Sequence, residues 1–160
     1  MDRADIAIEQ WARERPDLAV LPMFIFWRLL DAAETVMRDH MNPLFAEAGL
    51  QPGEFDVLAT LRRAGEPYLL SPTQLYETVM ISSGGMTNRL DRLERAGFVE
   101  RRPDPNDRRG KLIALTDSGK RVIDETIGRH VANEERILSA LTPAEQNKLN
   151  TLLRKLIAGL

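Results

Sequence analysis

The chain has 160 residues, 43% of them hydrophobic and 29% charged, which suits one folded domain with a moderate core and not a disordered or fibrous chain. It contains no cysteine, excluding disulfides, thiolate metal sites and thiol-based peroxide sensing. Its net charge of -2 argues against a surface that binds nucleic acid all over, so any such footprint must be local.

Ile6, Ile8 and Trp11 predict a short N-terminal helix that ends before Pro16. A long helix is predicted from about Pro22 to Ala48, with Phe26, Leu29, Leu30, Ala33, Val36 and Met37 as its apolar stripe and Gly49 as its stop. The most apolar run, Leu18 to Trp27, is interrupted by Pro22 and is far too short for a membrane span; with no cleavable signal pattern, a cytoplasmic protein without membrane contact is expected. Gln51-Pro52-Gly53 opens a further helix through Phe55, Leu58 and Leu61. Ser71-Pro72-Thr73-Gln74 starts a short one, since serine can cap orphan amides and proline at the first helical position has no amide hydrogen to leave unpaired.

After a break at Ile81-Ser82-Ser83, Met86, Leu90 and Leu93 repeat at helical spacing and face a core, leaving Ser83, Thr87, Asn88, Arg92 and Arg95 to project outward. A short helix, a tight turn and a second helix with a polar, arginine-bearing face form a helix-turn-helix pattern. Gly84 and Gly85 weaken the helix start, which is tolerable where backbone must approach a phosphate. Phe98 and Val99 begin a strand through Arg101 or Arg102. Pro103, Pro105, Asn106, Asp107 and Gly110 then read as a long turn, and Leu112 to Leu115 return as the partner strand. Arg108 and Arg109 at its tip read equally as phosphate contacts or as a solvated turn.

Between Arg89 and Lys111 there are eight basic residues against five acidic ones, a net +3 that leaves -5 for the rest of the chain. The local footprint the composition demands is therefore here. Thr116 caps a long helix past Val122, Ile123, Ile127 and Val131 to about Leu141. Thr142-Pro143-Ala144-Glu145 opens the last, whose stripe is Leu149, Leu152, Leu153, Leu156, Ile157 and Leu160. Long apolar helices at both ends predict burial against a second copy, and two-fold symmetry suits a palindromic double-stranded DNA site.

The element order, with NRLDRLERAGFVERRPDPNDRRGKLIALTDSGK from Asn88 to Lys120, resembles the MarR family of transcriptional regulators over nearly the whole chain. The most specific signature is the D-x-x-D-R-R-G wing followed by an aliphatic strand and a T-x-x-G helix start. The resemblance implies a mainly helical (α+β) winged helix-turn-helix with a two-stranded β-wing and long N- and C-terminal dimerisation helices. It implies a single domain over residues 1–160: residues 1–51 hold the N-terminal and dimerisation helices, 52–115 the DNA-binding region and 116–160 the C-terminal dimerisation helices. Carried over by position, Ser82, Ser83, Gly84, Thr87, Asn88, Arg92 and Arg95 would face DNA from the recognition helix, with Arg108 and Arg109 on the wing. The implied protein is a homodimeric repressor released from its operator by a small anionic aromatic ligand.

The chain further resembles the urate-responsive subgroup, through Trp11 in Gln10-Trp11-Ala12-Arg13, Asp56 in EFDVLATL, Arg89 in MTNRLDRL and Arg101 in VERRPD. That subgroup implies ligand binding by these residues, and the chemistry is sensible on its own terms. An oxidised purine is flat, mildly acidic and rich in carbonyl and N–H groups, so it wants an aromatic wall and guanidinium groups. Asp56 would neutralise the arginines of an empty pocket. Each residue also has another reading: Trp11 as a docking residue for the first helix, Asp56 with Arg89 as a structural ion pair, Arg89 as a phosphate contact and Arg101 as a solvated strand residue. Xanthine, a phenolic acid or another flat anion fits the same pattern, and some winged helices bind proteins instead of DNA. His40 and His130 stand far apart without metal-ligand spacing, and no nucleophile with a base or phosphate-binding glycine loop occurs, so neither enzymatic activity, a metal nor a cofactor is expected.

Overall fold

The computed structural model describes residues 3–79 and 85–160, with the main chain alone at Arg108. The described residues fall into two compact units, Met1–Pro43 and Leu44–Leu160.

In the first unit, α1 (Arg3–Glu14) packs on α2 (Leu21–Thr35), burying Ala4 and Ile8. Arg28 Nη2 donates to Asp5 Oδ1 at 2.5 Å across the pair. Pro22 falls in the first turn of α2, where its missing N–H costs nothing. No residue of α2 is buried: Leu21, Ile25, Phe26, Trp27 and Leu30 all face outward. The single helix expected from Pro22 to Ala48 is divided. A π-helical segment, Val36–Met41, follows α2, with the Asn42 N–H donating to the Met37 carbonyl five residues back, before α3 (Asn42–Glu47) resumes the ordinary pitch. The periodicity of apolar residues does not distinguish one inserted residue in such a run from an unbroken helix.

The second unit continues with α4 (Glu54–Arg63), β1 (Leu69–Leu70), α5 (Pro72–Thr78), α6 (Met86–Arg95), β2 (Val99–Asp104), β3 (Asp107–Leu115), α7 (Asp117–Leu138) and α8 (Pro143–Ile157). Its core joins Val57, Leu58 and Leu61 of α4, Leu75 of α5, Met86, Leu90 and Leu93 of α6, Val99 and Ile113 of the sheet and Ile123 of α7. In each of these elements the core residues share one face, which is apolar and turned inward.

The expected two-stranded wing is β2 with β3, and β1 adds a third strand to give an antiparallel sheet in the order β1-β3-β2. Leu69 and Leu70 pair with Ala114 and Ile113. Two residues are too few to show an alternation, which is why the strand was invisible as a pattern. The wing turn is also tighter than expected. Pairing runs from Val99↔Leu115 to Pro103↔Lys111, shifts, and ends at Asp104↔Asp107, so only Pro105 and Asn106 lie outside the strands. The turn-forming residues occupy an irregular edge: Asp104 Oδ1 accepts from the Asn106 N–H at 2.8 Å and Asp107 Oδ1 from the Arg109 N–H at 2.9 Å.

The helix starts read from the sequence are present. Ser71 with Gln74 and Thr142 with Glu145 form capping boxes at α5 and α8. The Thr116 hydroxyl accepts from the Gly119 N–H at 3.0 Å and lies 2.7 Å from the Gly97 carbonyl, fastening the start of α7 to the end of α6. A Cβ at Gly119 would lie 2.0 Å from the Phe98 carbonyl oxygen, so only glycine fits this approach. α8 buries none of its residues, and Leu149, Leu152, Leu156 and Ile157 face outward, with Ile127, Val131 and Leu138 of α7 likewise exposed.

Candidate nucleic-acid interface

α6 begins at Gly85, whose φ of 80° is left-handed and suits glycine at an N-cap. From there each residue turns about 100° around the axis. Met86, Leu90 and Leu93 point into the core, and Thr87, Asn88 and Arg95 are exposed. Arg109 is exposed on β3. Ser82, Ser83 and Gly84 lie outside the described residues, as does the Arg108 side chain.

The two flanks of α6 are engaged differently. On the flank toward α4, Arg92 Nε donates to Glu54 Oε1 at 2.6 Å, although Glu54 is 5% exposed and Arg92 40%. The other Glu54 oxygen accepts from the Gln51 N–H at 2.7 Å, so both are used. Arg92 was expected to project outward; the buried carboxylate beside it draws the guanidinium across the helix flank. One helical turn before Arg92, the half-buried Arg89 stands on the same flank. Asp56 of α4 is half-buried, and loss of solvent pushes its carboxyl above the usual carboxylate range, against the pull of the His130, Arg63 and Arg89 charges.

On the flank toward the wing, Arg101 of β2 meets Asp91 and Glu94. Its Nη2 donates to Asp91 Oδ1 at 2.5 Å, its Nη1 to Glu94 Oε2, and its backbone N–H to Glu94 Oε1 at 3.3 Å. The hydrogen bond to Asp91 is the chief influence raising the guanidinium pKa, a sign that the pair favours the charged form. Arg102 turns the other way and pairs with Glu100 at 2.5 Å.

Of the four effector candidates, Asp56 feels the Arg89 charge behind those of His130 and Arg63, Arg101 belongs to the opposite flank of α6, and Trp11 is an exposed residue of α1 in the first unit. Within that unit, a hollow of about 230 Å³ is lined by Arg3, Ala4, Trp27, Arg28, Leu30 and Asp31, so Trp27 is the tryptophan at its wall. Sequence reading singled out none of Glu54, Asp91 and Glu94. The available signal was spacing: Asp91 and Glu94 share a flank three residues apart, immediately before the strand that carries Arg101. No helix of the described residues is long and apolar enough to cross a membrane.

The model of the MarR family matches residues 48–110, the span from the lead-in to α4 as far as the wing. The HTH-type transcriptional regulator PecS of Dickeya dadantii (strain 3937) is 42% identical over 146 residues, covering 91% of this chain and 87% of that protein. The multiple antibiotic resistance protein MarR of Escherichia coli (strain K12) is 31% identical over 127 residues, covering 78% and 82%. Among solved structures, Sco3205, a MarR family transcriptional regulator from Streptomyces coelicolor in complex with DNA, superposes with a TM-score of 0.74 at 29% identity, covering 85% of this chain and 86% of that one. A mutant of E. coli MarR complexed with operator DNA gives 0.72 at 27% identity, covering 87% and 98%. These relatives match well beyond residues 48–110 of the family model, and the chain belongs to the MarR family of transcriptional regulators, DNA-binding proteins and not enzymes.

Proposed function

We propose that this chain is a homodimeric transcriptional repressor that binds a palindromic operator through α6 and the wing and is released by a flat anionic aromatic ligand of the urate class. The observation that carries the DNA-binding reading is the exposed edge of α6. Thr87, Asn88 and Arg95 are exposed there, on a helix whose other faces are buried or ion-paired, and Arg109 is exposed on the wing. Two relatives of the same fold are DNA complexes, which supports the same use of the element here. Ser82, Ser83, Gly84 and Arg108 extend this surface in the reading; Arg92, tied to Glu54, contributes by holding the helix. The dimer is supported by α2 and α8, which bury none of their residues and expose apolar stripes.

The effector reading centres on Asp56 and Arg89. The half-buried Asp56 is disfavoured in its ionised form by desolvation and favoured by the charges of His130, Arg63 and Arg89, and an arriving anion would upset that balance by attracting Arg89 and repelling Asp56. Trp11 and Arg101 complete the set by resemblance to the urate-responsive subgroup. The ligand shifts the DNA equilibrium by its differential affinity for the released state, about 1.4 kcal/mol per tenfold of discrimination.

The test is a selection of duplexes from a random-sequence pool, followed by anisotropy titrations with urate added. The reading predicts palindromic sites with half-site centres about 10 base pairs apart and affinity that falls steeply with salt. Urate should release the complex, and Trp11→Phe, Asp56→Asn, Arg89→Gln and Arg101→Met should blunt that release. A salt-independent complex without sequence preference would overturn the regulator reading. Release by a phenolic acid but not urate would reassign the ligand, and release by neither would remove the effector.

A further inference from the structure

We infer that Asp91, Glu94 and Arg101 form a latch fastening the wing to the recognition helix, and that Arg101 is a positioning residue that sets how helix and wing are presented together to DNA. The inference rests on the DNA-binding part of the reading above and not on its effector.

The geometry is specific. Asp91 and Glu94 lie three residues apart on one flank of α6 and close on a single guanidinium from two sides, through Nη2 and Nη1. Glu94 also reaches the main chain of β2, accepting from the Arg101 N–H at 3.3 Å. Among the described residues β2 pairs in the sheet only with β3, and the Glu94 carboxylate takes up an amide on its outer side. The strand is therefore held to the helix by side chain and backbone together, and the planar fork of arginine matches two carboxylates as an ammonium would not.

Energetically the latch is poorly suited to stabilising the fold. Arg101 is 30% exposed, Asp91 46% and Glu94 38%, and solvent-screened pairs of this kind contribute little. The core beneath, with Leu93, Val99 and Ile113, already joins helix to sheet. What the core does not determine is the inclination of β2 and β3 beyond Val99, where the wing projects toward its tip. Three charged groups at the root of that projection restrict it. The cluster also carries net charge -1, an unfavourable investment beside a phosphate-binding face unless the two carboxylates have an orienting role.

That charge makes the test one of sign. Removing carboxylates near DNA raises affinity if only long-range charge matters, whereas loosening the wing lowers it. Asp91→Asn with Glu94→Gln, in the full chain, should weaken binding to the selected duplex by about three- to tenfold. Arg101→Met should weaken it comparably, and the triple variant no further than Arg101→Met alone, because all three act as one unit. Arg101→Met should leave the slope of log affinity against log salt unchanged; a phosphate-contacting arginine would reduce it by about one. Independently of DNA, hydrogen exchange at the Arg101 amide should accelerate in Glu94→Gln while thermal stability stays near the parent's. Tighter or unaltered DNA binding by the carboxylate pair variant, additive effects, a reduced salt slope or unchanged exchange would each overturn the latch. If the parent protein holds no duplex, the DNA-binding reading falls instead, and the exchange measurement alone decides whether wing and helix are latched.

Discussion

The winged-helix body and the terminal helices solve opposite problems. In the body, Leu58, Leu61, Leu75, Met86, Leu93, Val99, Ile113 and Ile123 are all but sealed from solvent, and every element has one apolar face turned to the same core. In α2 and α8 nothing is buried, although both carry apolar residues over most of their length. Burying apolar surface yields roughly 25 cal/mol per Å², so stripes of this size left in water are costly. In the dimer proposed above, the body relies on its own core, whereas the ends of the chain find theirs against a second copy.

The largest effect that could break this comparison lies in the body. Leu58→Ala should cost about 2–5 kcal/mol of unfolding free energy in urea titrations, because the site is fully enclosed and leaves a cavity. If it costs no more than an exposed leucine of α8, the body is not the self-sufficient core described. Second, Leu152→Glu with Leu156→Glu on α8 should convert a dimer to monomer by sedimentation equilibrium and weaken binding to a palindromic duplex by about a hundredfold or more, since the second half-site contact is no longer intramolecular. An unaltered dimer would assign α8 another role.

Third, Glu54→Gln should cost about 1–2 kcal/mol: the carboxylate is buried and both of its oxygens are used, but its partner Arg92 remains partly in water. The loss should disappear in an Arg92→Met background, where no cation is left to pair. The smallest effect is at Asp56. Its folded pKa is raised by desolvation, so the ionised form strains the fold: the contribution is favourable below the ordinary carboxylate range and is lost as pH rises through the folded value. Asp56→Asn should therefore raise Tm at neutral pH, with the gain vanishing in acid. A lower Tm at neutral pH would mean that the charges of His130, Arg63 and Arg89 outweigh the desolvation of Asp56.

What the sequence disclosed, and what it did not, follows from the range of the interactions. Helix starts at Ser71, Thr116 and Thr142 are local hydrogen-bond chemistry and were legible residue by residue. The α6 core face was legible from spacing. The π segment and the strand at Leu69–Leu70 were not, since one depends on a single-residue offset and the other on a partner more than forty residues away. Family resemblance marked Asp56, Arg89 and Arg101 as one set, but which flank of α6 each occupies depends on where α4 and β2 dock. The carboxylates holding Arg92 and Arg101 were hidden for the same reason: on a helix drawn alone, Asp91 and Glu94 are ordinary solvated residues, and Glu54 is an ordinary first-turn acid.

In the proposed dimer, incomplete ends bring two complete bodies onto one DNA site. Sedimentation equilibrium of the full chain with a selected palindromic duplex tests it most directly. Two protomers per duplex, bound in one cooperative step and falling to weak single-protomer binding in the α8 double variant, is the predicted result; one parent protomer per duplex, or a stoichiometry indifferent to α8, would contradict it.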